Sequence, residues 1–136
     1  MLLRLAIMLA ALIVNFSAAW ADVVADFYRA KSIQLVLGYG PGGGYDVYAR
    51  FVARYLGKYV PGNPSVVVVN MPGAGSLRAT NFLYTTAPKD GLTIGAFARD
   101  MPLMGILGGN PNVQFDPRKF TWAGARFSET SLSATF

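Results

Sequence analysis

The chain has 136 residues, a formal net charge of +5, and neither Cys nor His. This length predicts one domain, and the missing residue types exclude disulfides, a thiol nucleophile, a histidine base and the usual zinc ligands. The positive charge favours anionic partners, but the Lys and Arg residues are spread along the chain instead of forming the basic stripe of a nucleic-acid binder.

The N-terminus has the pattern of an export signal. Arg4 precedes an apolar stretch from Leu5 to Val14, and Ala19-Trp-Ala21 follows as a small-x-small cleavage pattern. The apolar stretch is shorter than the ~20 residues that span a bilayer. The sequence therefore predicts a signal peptide at residues 1–21 and export to the periplasm, with an uncleaved N-terminal anchor as the alternative.

The first predicted unit is a strand, a glycine-rich turn and a helix. The apolar run Ile33–Leu37 is typical of a strand buried on both faces. The turn Gly38-Tyr-Gly-Pro-Gly-Gly-Gly-Tyr-Asp46 leads into a helix from Val47 to Tyr59, with Asp46 as the expected N-cap. An apolar stripe on this helix is expected to face the sheet, with Arg50, Arg54 and Lys58 on the other face. The stripe consists of Tyr48, Phe51, Val52, Tyr55, Leu56 and Tyr59.

The same construction recurs further along the chain. Val66–Asn70 predicts a strand, Met71-Pro-Gly-Ala-Gly-Ser76 a turn, and Leu77 the start of a helix that Ser76 or Gly75 caps. The alternation predicts an α/β fold, a parallel sheet with right-handed crossover helices, in which both turns lie at the carboxyl end of the sheet. The remaining predicted elements are a strand at Leu92–Phe97, a short helix at Pro102–Leu107 and a possible fourth strand at Phe120–Gly124.

Two glycine turns at helix starts indicate an anion site. The first N–H groups of a helix lack intrahelical partners and carry the positive end of the helix dipole, and glycine lets a ligand approach them. A dinucleotide site is one alternative, since Gly38-x-Gly40-x-x-Gly43 matches the Rossmann pattern, but strand two ends in Asn70 where an acidic residue belongs. That alternative is an exported Rossmann-like nucleotide-binding enzyme domain. A structural or interaction domain whose glycines serve only turn geometry is the other.

Three more side chains flank these turns. Tyr39 and Tyr45 stand on either side of the first turn and could wall a pocket or cover the sheet edge. Arg99 follows the third strand at the same carboxyl end, where ligands of open α/β sheets bind. Its guanidinium suits a ligand carboxylate, or it pairs with Asp100 or another carboxylate at the surface.

Several segments taken together resemble one protein family. They are the signal-like N-terminus, Pro41-Gly-Gly-Gly-Tyr-Asp46, Asn70-Met-Pro-Gly-Ala-Gly-Ser76 and Ala87-Pro-Lys-Asp-Gly91-Leu-Thr-Ile-Gly95. From about Ile33 to Gly124 the chain resembles the substrate-binding receptors of tripartite tricarboxylate transporters, the Bug or TctC-like proteins. Lys89, between Pro88 and Asp90, departs from the family pattern, as does Met71, where the family often has Arg.

The resemblance implies a periplasmic receptor with a cleft between two α/β domains. Such a receptor captures a tricarboxylate, dicarboxylate or related organic acid and delivers it to the membrane permease subunits of the transporter. A receptor of this kind is not an enzyme, so the resemblance implies no catalytic residue, metal or cofactor. In the family, the strand-to-helix turns hold one ligand carboxylate through backbone amides and bridging waters. The corresponding ligand-binding candidates here are Tyr39, Gly40, Pro41, Gly42, Gly43, Gly44, Tyr45, Asp46, Pro72, Gly73, Ala74, Gly75, Ser76 and Arg99.

The resemblance implies a two-domain protein of roughly twice this length or more. We therefore expect residues 22–124 to form a partial first domain and residues 125–136 to be a divergent or truncated tail. A sheet of three or four strands leaves one edge uncovered, and the stretch Phe120–Phe136 has no evident partner. Exposed Trp122 and Phe127 and a marginally stable fold are the expected consequences.

Overall fold

The computed structural model describes residues 23–124. The predicted signal peptide, the tail and Phe127 therefore lie outside the described residues. Within that range the chain alternates between strands and helices, with a further helical segment at residues 23–28 and 3-10 turns at Ala74–Ser76 and Pro117–Lys119. The alternating elements are β1 (Ser32–Leu37), α1 (Gly44–Tyr59), β2 (Ser65–Asn70), α2 (Leu77–Thr85), β3 (Thr93–Ala96) and α3 (Met101–Leu107).

The described strands form one parallel sheet in the order β2-β1-β3. Leu37 at the end of β1 is in register with Asn70 at the end of β2 and with Ala96 at the end of β3. All three strands therefore end level, so the loops that follow them meet at one edge of the sheet. The predicted α/β fold with a parallel sheet is confirmed.

The apolar run of β1 is explained by the central position of this strand in the sheet. Val36 and Leu37 are each 1% exposed, and Ile33 and Leu35 are also buried. Side chains of a strand alternate between the two faces of the sheet, so a run of this kind is buried only when both faces are covered. One core cluster contains Leu35 and Leu37 with Ala49 of α1, and a second gathers around Met101 of α3.

Helix α1 packs on β1 and β2 with a different face from the one predicted. Asp46 and Ala49 are buried, and Ala53 and Leu56 are half-buried. Of the predicted apolar stripe only Leu56 takes part, and its other members are exposed, with Phe51 at 61%. The stripe prediction was wrong because the small side chains of Ala49 and Ala53 let the helix backbone approach the sheet, whereas large rings at that position would hold it away.

The predicted fourth strand is also absent from the described residues, since residues 121–124 have no regular secondary structure. Phe120 instead packs against other rings, with centroids 5.7 Å from that of Tyr84 and 6.0 Å from that of Phe97. The expectation that this stretch lacks partners was therefore wrong for Phe120, which long-range aromatic contacts hold in place. Trp122 is 52% exposed, as expected.

Candidate functional site

The first glycine turn connects the end of β1 to α1. The helix begins at Gly44, three residues before the predicted start, because Gly43 in extended backbone is its N-cap. No side chain caps this helix start in the structure. Since the first N–H groups of a helix have no intrahelical acceptor, the turn presents donors that an external anion can use.

Asp46 is the third residue of α1 and not its N-cap, which corrects the sequence prediction. Its buried carboxylate turns back under the turn and accepts from the N–H of Gly42 at 3.0 Å. Nε of Arg50 donates to the same oxygen, Oδ2, at 2.9 Å, and Nδ2 of Asn70 donates to Oδ1 at 2.9 Å. One carboxylate therefore ties the turn, the helix and the end of β2 together.

The electrostatics of this cluster keep Asp46 ionised. The hydrogen bond from Arg50, the backbone N–H of Gly42 and the amide of Asn70 hold the pKa of the Asp46 carboxyl well below its ordinary value. The same carboxylate raises the pKa of Arg50. Because Arg50 neutralises Asp46, the internal carboxylate does not leave an uncompensated negative charge beneath the turn, where it would repel an anionic ligand.

Asn70 links the two turns directly. Its Nδ2 donates to the carbonyl oxygen of Tyr39 at 2.9 Å as well as to Asp46, and its Oδ1 accepts from Nη2 of Arg50 at 3.1 Å. Asn70 is the last residue of β2, directly before the second turn. The first turn is thus held to the strand from which the second turn begins.

The two tyrosines of the first turn stack on each other. The ring centroids of Tyr39 and Tyr45 are 4.1 Å apart and the planes differ by 14°. Both rings are half-buried, and Tyr39 contacts both core clusters. Burial is the main cause that raises the pKa of the Tyr39 hydroxyl, so the ring stays neutral. The stacked rings bring the two ends of the glycine turn together.

The second turn adopts an unusual backbone. Gly73, Ala74, Gly75 and Ser76 all have positive φ, with 46° at Ala74 and 84° at Ser76. A side chain makes this region unfavourable for residues other than glycine, and such strain persists where the surrounding structure holds it. Helix α2 begins directly after Ser76.

Ser76 explains how the second turn is held. It occupies the N-cap position, as one of the two predicted alternatives, but its side chain makes no cap hydrogen bond. Its buried Oγ instead donates to the carbonyl oxygen of Gly38 at 3.3 Å and accepts from the N–H of Ala98 at 3.2 Å. The left-handed backbone turns the hydroxyl away from the helix start, so it joins the loops that follow β1 and β3.

Open space lies over the glycines of both turns. A Cβ placed on Gly40, Gly43 or Gly44 would meet no atom within 4 Å, and the same holds for Gly42 and Gly75. Close packing against the protein therefore does not explain why glycine occupies Gly40, Gly43 and Gly44, none of which has a positive φ. Bare backbone facing open space is the arrangement that lets a ligand reach amide donors.

The other predicted site residues lie at the same edge of the sheet. Pro41, Pro72 and Arg99 are exposed. Arg99 follows Ala98, whose N–H reaches Ser76, so it stands beside the second turn. The structure thus brings the two turns together through Asp46, Asn70 and Ser76 and places Arg99 next to them.

The sequence interpretation missed Arg50 and Asn70 as parts of the site. The spacing of Asp46 and Arg50 by four residues, which favours an ion pair on a helix, was an available signal. The polar residue that ends the run Val66-Val-Val-Val-Asn70 was another, because strand ends meet at this edge.

Two features are absent from the part of the chain that the structure describes. Among residues 23–124, no group of three acidic, His or Cys side chains is arranged to hold a metal ion. In the same part of the chain, every helix is too short or too polar to cross a bilayer.

Comparison with known proteins shows what this chain is similar to in sequence. The chain is 38% identical over 95 residues to the protein BugT of Bordetella pertussis, an alignment covering 70% of this chain and 28% of BugT. It is 37% identical over 84 residues to a protein of Cupriavidus necator described as UPF0065 protein in gbd 5'region, covering 62% of this chain and 25% of that protein. No protein-family model matches the chain.

The chain spans roughly a quarter of the length of these two relatives. The aligned part nevertheless covers more than half of the chain, at an identity well above that of unrelated sequences. Across that region the chain is homologous to these two proteins, which supports its resemblance to the Bug/TctC-like receptors of tripartite tricarboxylate transporters.

Proposed function

We propose that the two glycine turns bind a carboxylate group of a small organic acid, as part of a periplasmic receptor that delivers the acid to the permease of a tripartite tricarboxylate transporter. The observation that carries this proposal is the open backbone of both turns at one edge of the sheet, held together by the Asp46–Asn70 hydrogen bond. Homology to BugT and to the UPF0065 protein supports the receptor class.

The chemistry of the site fits an anion better than a cation. The N-terminal end of α1 carries a partial positive charge, and the carboxylate nearest to it, Asp46, is paired with Arg50. Arg99 at the neighbouring loop adds a cation suited to a second carboxylate. A di- or tricarboxylate would therefore place one group on the amides and another toward Arg99.

A nucleotide is disfavoured by the surroundings of Asn70. In a Rossmann site, the residue that ends the second strand accepts from the ribose hydroxyls. Here Oδ1 of Asn70 already accepts from Arg50, and its Nδ2 donates to Tyr39 and Asp46. This side chain is occupied in holding the turns together.

Isothermal titration tests the proposal directly. The chain is titrated with citrate, succinate and benzoate, and with a neutral amide of similar size as the control. We expect heat of binding for at least one carboxylate and none for the amide. Folded protein, verified by circular dichroism, that gives no heat with any of the acids would refute carboxylate binding by this chain.

The glycines provide a matched pair of variants. Gly43→Ala places a methyl group in the open space over the first turn, where it meets no protein atom. It should weaken carboxylate binding while leaving the fold intact. Val67→Ala, on the exposed side of β2, is the control and should change neither carboxylate binding nor the fold.

Release of the chain from a NAD resin by free NAD would favour the nucleotide alternative instead.

A further inference from the structure

A second surface of the molecule is unexplained by carboxylate binding. Because α1 contacts the sheet through Asp46, Ala49, Ala53 and Leu56, its opposite side faces outward. That side, which we name the outer face of α1, carries large apolar side chains at exposed positions. They are Val47, Tyr48, Phe51, Val52, Tyr55 and Tyr59, of which Tyr59 is 83% exposed.

The outer face combines rings with cations. The ring centroids of Phe51 and Tyr55 are 5.0 Å apart, and Nζ of Lys58 lies 5.3 Å from the centre of the Tyr55 ring. Exposed Arg54 is one turn before Lys58 on the helix. Rings and long basic side chains thus form one strip along the helix.

No negative charge balances these cations on the helix. Asp46 is the acidic residue of α1, and it is buried and bound to Arg50 on the other side. The outer face is therefore apolar and positive. A partner that covers it must accept rings and supply anions.

We propose that the outer face of α1 docks on the surface of an anionic phospholipid bilayer. Phe51, Tyr55 and Tyr59 would lie among the headgroups, and Arg54 and Lys58 would reach the phosphates. Aromatic rings beside basic side chains on one side of a helix are typical of interfacial helices, which lie in the membrane plane. At 16 residues, or about 24 Å in length, the helix would lie along the bilayer.

Charge distinguishes this occupant from a second copy of the chain. Two outer faces packed together would enclose Arg54 and Lys58 of both copies in one interface, with no carboxylate on either face to pair with them. The bilayer supplies phosphates in their place.

Vesicle co-sedimentation tests the proposal. The chain is mixed with vesicles of phosphatidylcholine containing phosphatidylglycerol, and with vesicles of phosphatidylcholine alone. We expect binding to the anionic vesicles that weakens as salt is added. Every variant keeps the apolar stretch Leu5–Val14, so differences between variants report on α1.

Two double variants separate charge from apolar contact. The variant Arg54→Gln with Lys58→Gln should bind anionic vesicles roughly 25-fold less, because each cation near such a surface contributes a factor of about five. The variant Phe51→Ser with Tyr55→Ser should lose at least a tenfold share of the binding. Leu103→Ser, 56% exposed on α3, is the matched control and should bind as the parent does.

Three outcomes would overturn the proposal. One is no preference for anionic vesicles at low salt, and another is unchanged binding in both double variants while their thermal unfolding matches the parent. The third is a dimer in sedimentation velocity that disappears in the Phe51→Ser, Tyr55→Ser variant, which would assign the outer face to a second copy. Carboxylate binding is unaffected in all three cases, so the proposed function is tested separately.

Discussion

Asp46 and Asn70 are joined by a 2.9 Å hydrogen bond across 24 residues of sequence. This bond connects the helix that follows the first glycine turn to the strand that precedes the second. The two turns therefore hold a set distance from each other, as a ligand bound between them requires. Both side chains also contact Arg50.

Replacing Asn70 by Ala should uncouple the turns. Asn70 takes part in three hydrogen bonds, so we expect a loss of about 1–3 kcal/mol of stability together with weaker carboxylate binding. Asn81→Ala is the control, since Asn81 also bonds to two backbone groups, at Asn112 and Gln114, but away from the site. Equal losses of ligand affinity in the two variants, measured by titration calorimetry, would contradict a linking role for Asn70.

Asp46 should make the fold sensitive to acid. Because its pKa is lowered from the ordinary 3.8, its stabilising effect is complete above that value and is lost as the pH falls through the lower, folded-state pKa. The melting temperature should be flat above about pH 5 and fall at lower pH. In Asp46→Asn this fall of the melting temperature at low pH, the acid limb of the curve, should be less steep.

The control for the acid limb is Asp116→Asn. Arg118 lowers the pKa of Asp116 as well, but Asp116 lies at a surface turn. Asp116→Asn should therefore reduce the fall of the melting temperature at low pH by less than Asp46→Asn does. The measurement is thermal unfolding by circular dichroism between pH 2 and pH 7, the range over which carboxyls titrate. An acid limb of the same slope in Asp46→Asn and the parent would speak against the assignment.

Gly38 and Gly40, at the start of the first turn, should differ in how well they tolerate substitution by alanine. A Cβ on Gly38 would lie 2.2 Å from Oγ of Ser76, whereas one on Gly40 meets nothing. Gly38→Ala should therefore cost about 1–3 kcal/mol through overpacking, and Gly40→Ala should leave the melting temperature unchanged. Combining Gly38→Ala with Ser76→Gly should cost less than the sum of the two single changes, because the obstructing side chain is gone. Strict additivity in urea unfolding would rule out this contact.

Replacing Ala74 by glycine should stabilise the protein slightly. Ala74 has a φ of 46°, where a side chain costs about 1–2 kcal/mol, and glycine loses part of this gain to its freedom in the unfolded chain. A rise of up to ~1 kcal/mol is expected. Ala79→Gly, in the buried face of α2, should instead destabilise. A fall in stability for Ala74→Gly in denaturant unfolding would count against strain in this turn.

Phe120 should contribute to the stability of the fold, although it lies near the end of the described residues. Its ring contacts Tyr84, Phe97 and Phe115, so Phe120→Ala should lose roughly 2 kcal/mol. Phe51→Ala, at a 61% exposed ring, should be close to neutral. Thermal unfolding of both variants distinguishes them, and the reverse order would mean that Phe120 does not anchor this part of the fold.

Local sequence patterns were enough to predict the alternation of strands and helices, the parallel sheet and the two glycine turns at its carboxyl edge. These features follow from local signals. The apolar run of β1 requires cover on both faces, and glycines mark where the chain turns before a helix. Neighbouring residues carry all of this information.

The tertiary structure alone decided which side of α1 is buried and what Asp46 and Ser76 bind. An apolar stripe predicts that a helix is amphipathic, but contact with the sheet selected Ala49 and Ala53, because small side chains allow close approach. The partners of Asp46 and Ser76 include Asn70 and Gly38, which are 24 and 38 residues away in sequence. Local propensity carries no information about such partners, since they meet only when the ends of the strands are aligned in the sheet.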